Sequence, residues 1–207
     1  MTNKNKIEQV IFPGLCPPEG CPPPTRIECI AVDKVYDSCF QIDDVTRTIT
    51  IPRGSASGEF SGTFAVGDII TCALNGIVTC TEIKRTSVGD GFFSVTVLVS
   101  VPIRLTNSNV PAQYVDRIVT FTKTVTLCCP PGVEPDCSES TLIACSCLIT
   151  ALVNESAIEV TCDVQVCLVL KCILRVQLLV PSYGFCVPAP CVTLPGVCPP
   201  TPPAQCF

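Results

Sequence analysis

"VTCDVQVCLVLKCILRVQLLV", Val160–Val180, decides how the chain is read. The even positions are Val160, Cys162, Val164, Val166, Leu168, Leu170, Cys172, Leu174, Val176, Leu178 and Val180, whereas Asp163, Gln165, Lys171, Arg175 and Gln177 all fall on odd ones. A period of two puts alternate side chains on opposite faces of an extended chain, so one face is core and the other is wet. The most apolar part, Val166–Val180, is interrupted by Lys171 and Arg175. It is also shorter than the roughly 20 apolar residues a helix needs to cross a bilayer. An unbroken strand of this length is unusual, so a bend or bulge is expected within it.

The alternation recurs along the chain. Phe93, Val95, Val97, Val99, Val101, Ile103 and Leu105 hold the odd positions of one segment, with Ser94, Thr96, Ser100 and Arg104 between them. "VTFTKTVTL" (119–127) and "LIACSCLITALV" (142–153) read the same way, and "LNG" (74–76) and "SVGDG" (87–91) read as hairpin turns. No window carries a helical stripe. The expected fold is all-β, of antiparallel β-sandwich type, with extended Pro/Cys-rich arms at both ends.

Proline sets the boundaries. Six of the 20 prolines lie in residues 13–24, three in 130–135 and eight in 181–203. Proline lacks the ladder donor and fixes φ, so these clusters are arms and a linker rather than sheet interiors. The division expected is an N-terminal arm 1–26, a first β domain 27–127, a linker 128–137, a second β region 138–185 and a C-terminal arm 186–207. Nine residues of polyproline-like chain such as "CPPEGCPPP" (16–24) reach about 28 Å.

Composition excludes several functions. A hydrophobic content of 47% fits a globular protein, and a net charge of -5 offers no basic surplus for nucleic acid or an anionic membrane. Eighteen cysteines in 207 residues point to an oxidised final state. Yet "MTNKNKIEQVIFPGLCPP" lacks the apolar core of a secretory signal, so export by the usual route is not expected.

Periodicity sorts the cysteines. Cys162 and Cys172 share the apolar face of their segment and Cys167 points outward; Cys145 and Cys147 share a face with Ile143 and Ile149. For these strand cysteines the leading reading is a small buried hydrophobe, followed by intramolecular disulfides and then metal ligation. Cysteines of the Pro-rich segments have no core to fill and favour disulfides, with partners that spacing cannot name.

Chemistry is sparse. With no histidine the chain lacks the commonest general base and the Ser/Cys–His pair, so no catalytic residue is expected. No C-x-x-C occurs, so no metal ligand set and no cofactor are expected. "VGDGF" (88–92) reads as a turn, and Asp37, Asp43 and Asp44 read as a solvated loop in preference to a calcium site.

"CIAVDKVYDSC" (29–39) resembles a family of spore proteins of anaerobic, endospore-forming Firmicutes that carry a SPOCS-type domain, also found in spore coat morphogenetic proteins. "GFFSVTVLVSVPIRL" (91–105) looks like that family's central strand, "VTFTKTVTL" like the end of its first half and "RVQLLVPSYGFCVPAPC" (175–191) like its closing motif. The resemblance implies a spore-surface protein made in the mother cell, released by its lysis without a signal peptide and oxidised afterwards.

The function expected is therefore a structural, non-enzymatic subunit of a self-assembling, disulfide-reinforced filament or appendage, its partners being copies of itself and other spore coat proteins. "IEQVIFPGL" (7–15), with Val10, Ile11 and Phe12, has the composition of a donor strand, and Cys16, Cys21, Cys198 and Cys206 are the candidate intersubunit disulfides. The alternatives are a non-fibrous coat scaffold and a cysteine-rich metal-sequestering protein.

Overall fold

The structure, a computed structural model, describes residues 23–182. Most of the arm segments 1–26 and 186–207, with Val10, Ile11, Phe12, Cys16, Cys21, Cys198 and Cys206, thus lies outside the described residues. Two compact units are distinguished: residues 31–176, and the flanking segments, of which 23–30 and 177–182 are described. In the flanking unit the Thr25 amide donates to the Ser182 carbonyl at 3.0 Å.

Eight strands account for the ordered backbone: β1 (Arg26–Pro52), β2 (Ile69–Leu74), β3 (Thr79–Gly89), β4 (Phe92–Thr106), β5 (Tyr114–Leu127), β6 (Glu134–Asp136), β7 (Thr141–Val153) and β8 (Ala157–Ser182). Among the described residues there is no helix. They form one sheet in the order β1-β8-β7-β2-β4-β3, with β5 on β4 and β6 on β8. The registered pairs are antiparallel.

Alternation explains the core. Val95, Val97, Val99, Val101, Ile103 and Leu105 of β4 are fully buried, and so are Ile158, Val160, Cys162, Val166 and Cys172 of β8. All belong to a single buried cluster. Burying a side chain of this size is worth about 1.5–3 kcal/mol. β5 supplies β4 with a ladder that runs from Phe93↔Leu127 to Thr106↔Tyr114 without a shift.

Of the two turns, one behaves as its sequence implies. Asp90 (φ 51°) and Gly91 (φ 83°) close the β3–β4 hairpin, with Gly89 opposite Phe92. Two successive positive φ values define the tight turn whose twist suits a hairpin. "LNG" corrects the expectation, because it does not reverse the chain: Leu74 lies opposite Ile103 and Thr79 opposite Ser100, so β2 and β3 run end to end along the same side of β4. Pro102 is the reason. Its carbonyl accepts from the Asn75 amide at 2.9 Å, but it has no N–H to return, and the ladder breaks there. Gly76, at φ 134°, lets the chain pass Pro102, whose Cγ would lie 3.2 Å from any Cβ at that position.

Three further expectations are corrected. β8 is continuous over 26 residues, and the irregularities of the β7–β8 ladder sit in β7, between Leu142 and Ala144 and between Ile149 and Ala151. The first bulge turns Ile143 outward, away from the inward row of Cys145, Cys147 and Ile149. Asp37, Asp43 and Asp44 are strand residues of β1, not loop: their carboxylates accept from the Cys128 amide, Lys123 Nζ and Gln165 Nε2.

β2 ties together the sequence on either side of the linker. Ile69 and Ile70 pair with Leu148 and Cys147 of β7, and Thr71–Leu74 pair with β4. The linker contributes β6, whose Pro135 faces Cys172 of β8. Registered pairs flank it on both sides, Glu134 with Ile173 and Asp136 with Lys171, and a proline is tolerated there because β6 pairs with β8 alone among the named strands.

Candidate functional site: the cysteine framework and the β1 edge

Arg85 shows how the linker is placed. Its side chain is 13% exposed, and its guanidinium donates to the carbonyls of Cys129 (2.9 Å), Pro130 (2.6 Å) and Val133 (2.8 Å) while pairing with Glu82. A planar five-donor group can satisfy several carbonyls at once, which fixes the turn between Cys129 and Val133. Cys129 is thereby held against β8, where it bonds Cys172, and Cys137 bonds Cys80 of β3.

Two more bridges cross β7. Cys72 of β2 bonds Cys145, and Cys147 bonds Cys162 of β8, directly opposite it in the ladder. The strand cysteines 145, 147, 162 and 172 are thus disulfide-bonded, which corrects their leading reading as small hydrophobes. Their burial is compatible with both roles, and only the register between strands decides which thiols meet. Of the linker cysteines, Cys129 and Cys137 are bonded as expected, whereas Cys128 is free.

Among the described residues Cys29, Cys39, Cys128 and Cys167 remain unbonded. Cys167 stands half-exposed on the outer side of β8, as its odd position implies. Cys39 lies on the inward-facing side of β1; burial pushes its thiol pKa up, the Asp37 carboxylate adds to the rise, and the Lys123 ammonium partly offsets it. In the flanking unit Cys29 is exposed, its Sγ 3.9 Å from Gln177 Oε1.

β1 ends the strand order, and among the described residues its only strand partner is β8. Its later part is held to β5 through side chains: Lys123 Nζ to Asp43 Oδ1 at 2.5 Å and Arg47 Nη2 to the Thr120 carbonyl at 2.9 Å. Further toward the N-terminus Asp37 accepts from the Cys128 amide just past β5, and beside these contacts Val35, Phe40 and Ile42 are exposed, Phe40 at 77%. A long strand edge with apolar side chains in solvent is a template for another strand. Sequence reasoning did not single out β1 as an edge, since strand order is not written in periodicity.

An open groove of about 480 Å³ is lined by Thr63, Phe64, Asp68, Ile70, Asn107 and Ser108, among others. Its polar groups are engaged in fixing loops: Asn107 Nδ2 donates to the Ser61 carbonyl and Gln113 Oε1, Asp68 Oδ2 accepts from the Ala65 amide, and Ser108 Oγ donates to the Ile69 carbonyl.

Comparison with protein-family models, with curated proteins and with solved structures finds no match.

Proposed function

We propose that the protein is a structural, non-catalytic subunit of a self-assembling, disulfide-reinforced filament or appendage on the spore surface. The β1 edge carries this reading: a 27-residue strand with exposed Val35, Phe40 and Ile42 can accept a strand from a second copy. In the proposed joint, Ile7–Leu15 of a neighbouring subunit, led by Val10, Ile11 and Phe12, adds to β1. A contact between two different surfaces of the chain propagates rather than closes. Cys16, Cys21, Cys198 and Cys206 then lock the joint with intersubunit bonds, around bodies whose inward faces stack as a β-sandwich. The spore surface as location rests on the resemblance of segments 29–39, 91–105, 119–127 and 175–191 to SPOCS-type spore proteins, with release by mother-cell lysis.

Electron microscopy of the purified full chain tests the reading, with electrophoresis of the same material after boiling in detergent. Filaments are expected, and they should fall to the 22.0 kDa chain only after reduction. Deleting residues 1–15, or replacing Phe40 and Ile42 with lysine, should leave folded monomers. Serine at Cys16, Cys21, Cys198 and Cys206 should leave filaments that boiling detergent dissolves. A folded protein that stays monomeric under all oxidising conditions would sink the filament reading in favour of a coat scaffold with a different partner.

A further inference from the structure

Cys72, Cys145, Cys147 and Cys162 come from three adjacent strands and form one sulfur cluster. The two bridges are neighbours, with Cys145 Sγ 3.8 Å from Cys147 Sγ, and the Sγ atoms of Cys72, Cys145 and Cys147 lie within 4.8 Å of one another. A zinc–thiolate bond of about 2.3 Å gives a tetrahedral S₄ site an edge of about 3.8 Å. The Cys145–Cys147 separation matches that edge, Cys72 completes a group of three sulfurs within reach of one ion, and Cys162 is joined to it through its bond to Cys147. Ladder pairing, which does not depend on the bridges, sets Cys147 opposite Cys162 and places Ile70, two residues before Cys72, opposite Cys147. Cys147 and Cys162 are fully buried, whereas Cys72 and Cys145 are half-buried and give an ion a way in.

We propose that, in the reduced chain, these four cysteines bind one divalent thiophilic cation of the zinc type, and that oxidation of the site expels it. The reaction balances. Opening Cys72–Cys145 and Cys147–Cys162 takes four electrons and four protons from two equivalents of a dithiol, which becomes disulfide, and leaves four thiols. The cation binds the four thiolates and displaces their four protons. In the reverse direction two equivalents of a small disulfide oxidant accept four electrons, both bridges re-form, and the cation leaves because a disulfide sulfur is not a thiolate donor. Bound in this way, the metal keeps the four thiols together and shielded from wrong partners until the oxidant arrives. The site is independent of the filament reading and is invisible to local motif spacing, since Cys72 and Cys145 are 73 residues apart.

The test uses the full chain reduced with a phosphine under argon and titrated with Co²⁺, whose thiolate charge-transfer and tetrahedral d–d bands report the donor set, followed by displacement with Zn²⁺. One tight equivalent with a tetrahedral thiolate spectrum is expected. Replacing Cys145 and Cys147 with serine should remove it, weakening binding by more than about 100-fold, a loss beyond that of outer-shell changes. The Cys80→Ser/Cys137→Ser control should retain it. A second readout does not depend on the variants folding: alkylation of the reduced wild-type chain with and without Zn²⁺, mapped by peptide mass, should protect Cys72, Cys145, Cys147 and Cys162 while Cys29 and Cys167 react. Absence of a tetrahedral spectrum, equal loss in both serine pairs, or protection spread evenly over all the cysteines would each overturn the proposal.

Discussion

The β4–β5 hairpin and the β7–β8 hairpin are built on the same alternation but held by different means. β4 and β5 contain no cysteine, pair without a register shift and rely on a continuous inward row from Val95 to Leu105. β7 and β8 pair across two bulges and are stapled by the Cys72–Cys145, Cys147–Cys162 and Cys129–Cys172 bridges. Where the ladder is regular, packing is enough to fix it. Where bulges disturb it, covalent bonds restrict the alternatives. The first kind of stability belongs to the folded chain alone, and the second depends on the redox state.

Reduction should separate the two regions most. A bridge closing a loop as long as that between Cys72 and Cys145 contributes about 4 kcal/mol, chiefly by restricting the unfolded chain. Native-state hydrogen exchange after reduction should show β7 and β8 amides losing protection while β4 and β5 amides keep theirs. Parallel loss in both would mean that they unfold as one unit and that the comparison fails.

The converse experiment attacks packing with the bridges intact. Ile103→Ala removes a fully buried side chain and should cost about 3 kcal/mol in the oxidised protein, read as a lower denaturant midpoint at constant slope. Leu148→Ala, on an exposed side chain of β7, should stay within about 0.5 kcal/mol. Equal costs would show that alternation does not report burial here.

The seam between β1 and β5 sharpens the comparison from the outer strand of the first hairpin. Asp43 Oδ2 is buried with no hydrogen-bond partner, so its carboxylate leans on Lys123. Lys123→Met should cost about 2 kcal/mol, less than a fully buried pair because some solvent reaches both groups. Adding Asp43→Asn should recover most of that in a double-mutant cycle, and additivity would deny the coupling.

The smallest effect is electrostatic and exposed. The hydrogen bond from Arg104, its register partner, holds the Asp116 carboxyl below its ordinary value of 3.8, and the Arg104 and Arg117 charges add to the lowering. A depressed carboxyl pKa stabilises the fold above the ordinary value, and that contribution disappears as pH falls through the depressed one. NMR titration should place Asp116 below a model carboxyl in the wild type and move it back upward in Arg104→Gln. An unchanged value would remove the pair from the account.

Legibility in the sequence followed the range of the interaction. The faces of β4, β5 and β8 as far as Cys172 and the Asp90–Gly91 turn could be read because they depend on residues two to four positions apart, whereas Leu178, on the even row that periodicity assigns to the core, is exposed. "LNG" misled because its fate depends on Pro102, a residue on another strand. Ile143 misled because a bulge shifts parity by one, and periodicity carries no warning of it. Cysteine partners were illegible because β2 must first find both β4 and β7. The candidate arm residues, Cys16 to Cys206 and Val10 to Phe12, were legible only as composition, and the exposed edge of β1 was not legible at all.

Strand order also has a consequence in time. β1 is made first and its neighbour β8 last, with about 100 residues between Pro52 and Ala157. At about 5–20 residues per second, β1 waits roughly 5–20 s for its partner during synthesis. A hairpin such as β4–β5 closes in microseconds once both strands are available. The local hairpins are thus complete while β1 is still without its neighbour, so the strand that ends at the border of the finished sheet is also the one most open to a foreign strand while the chain is being made.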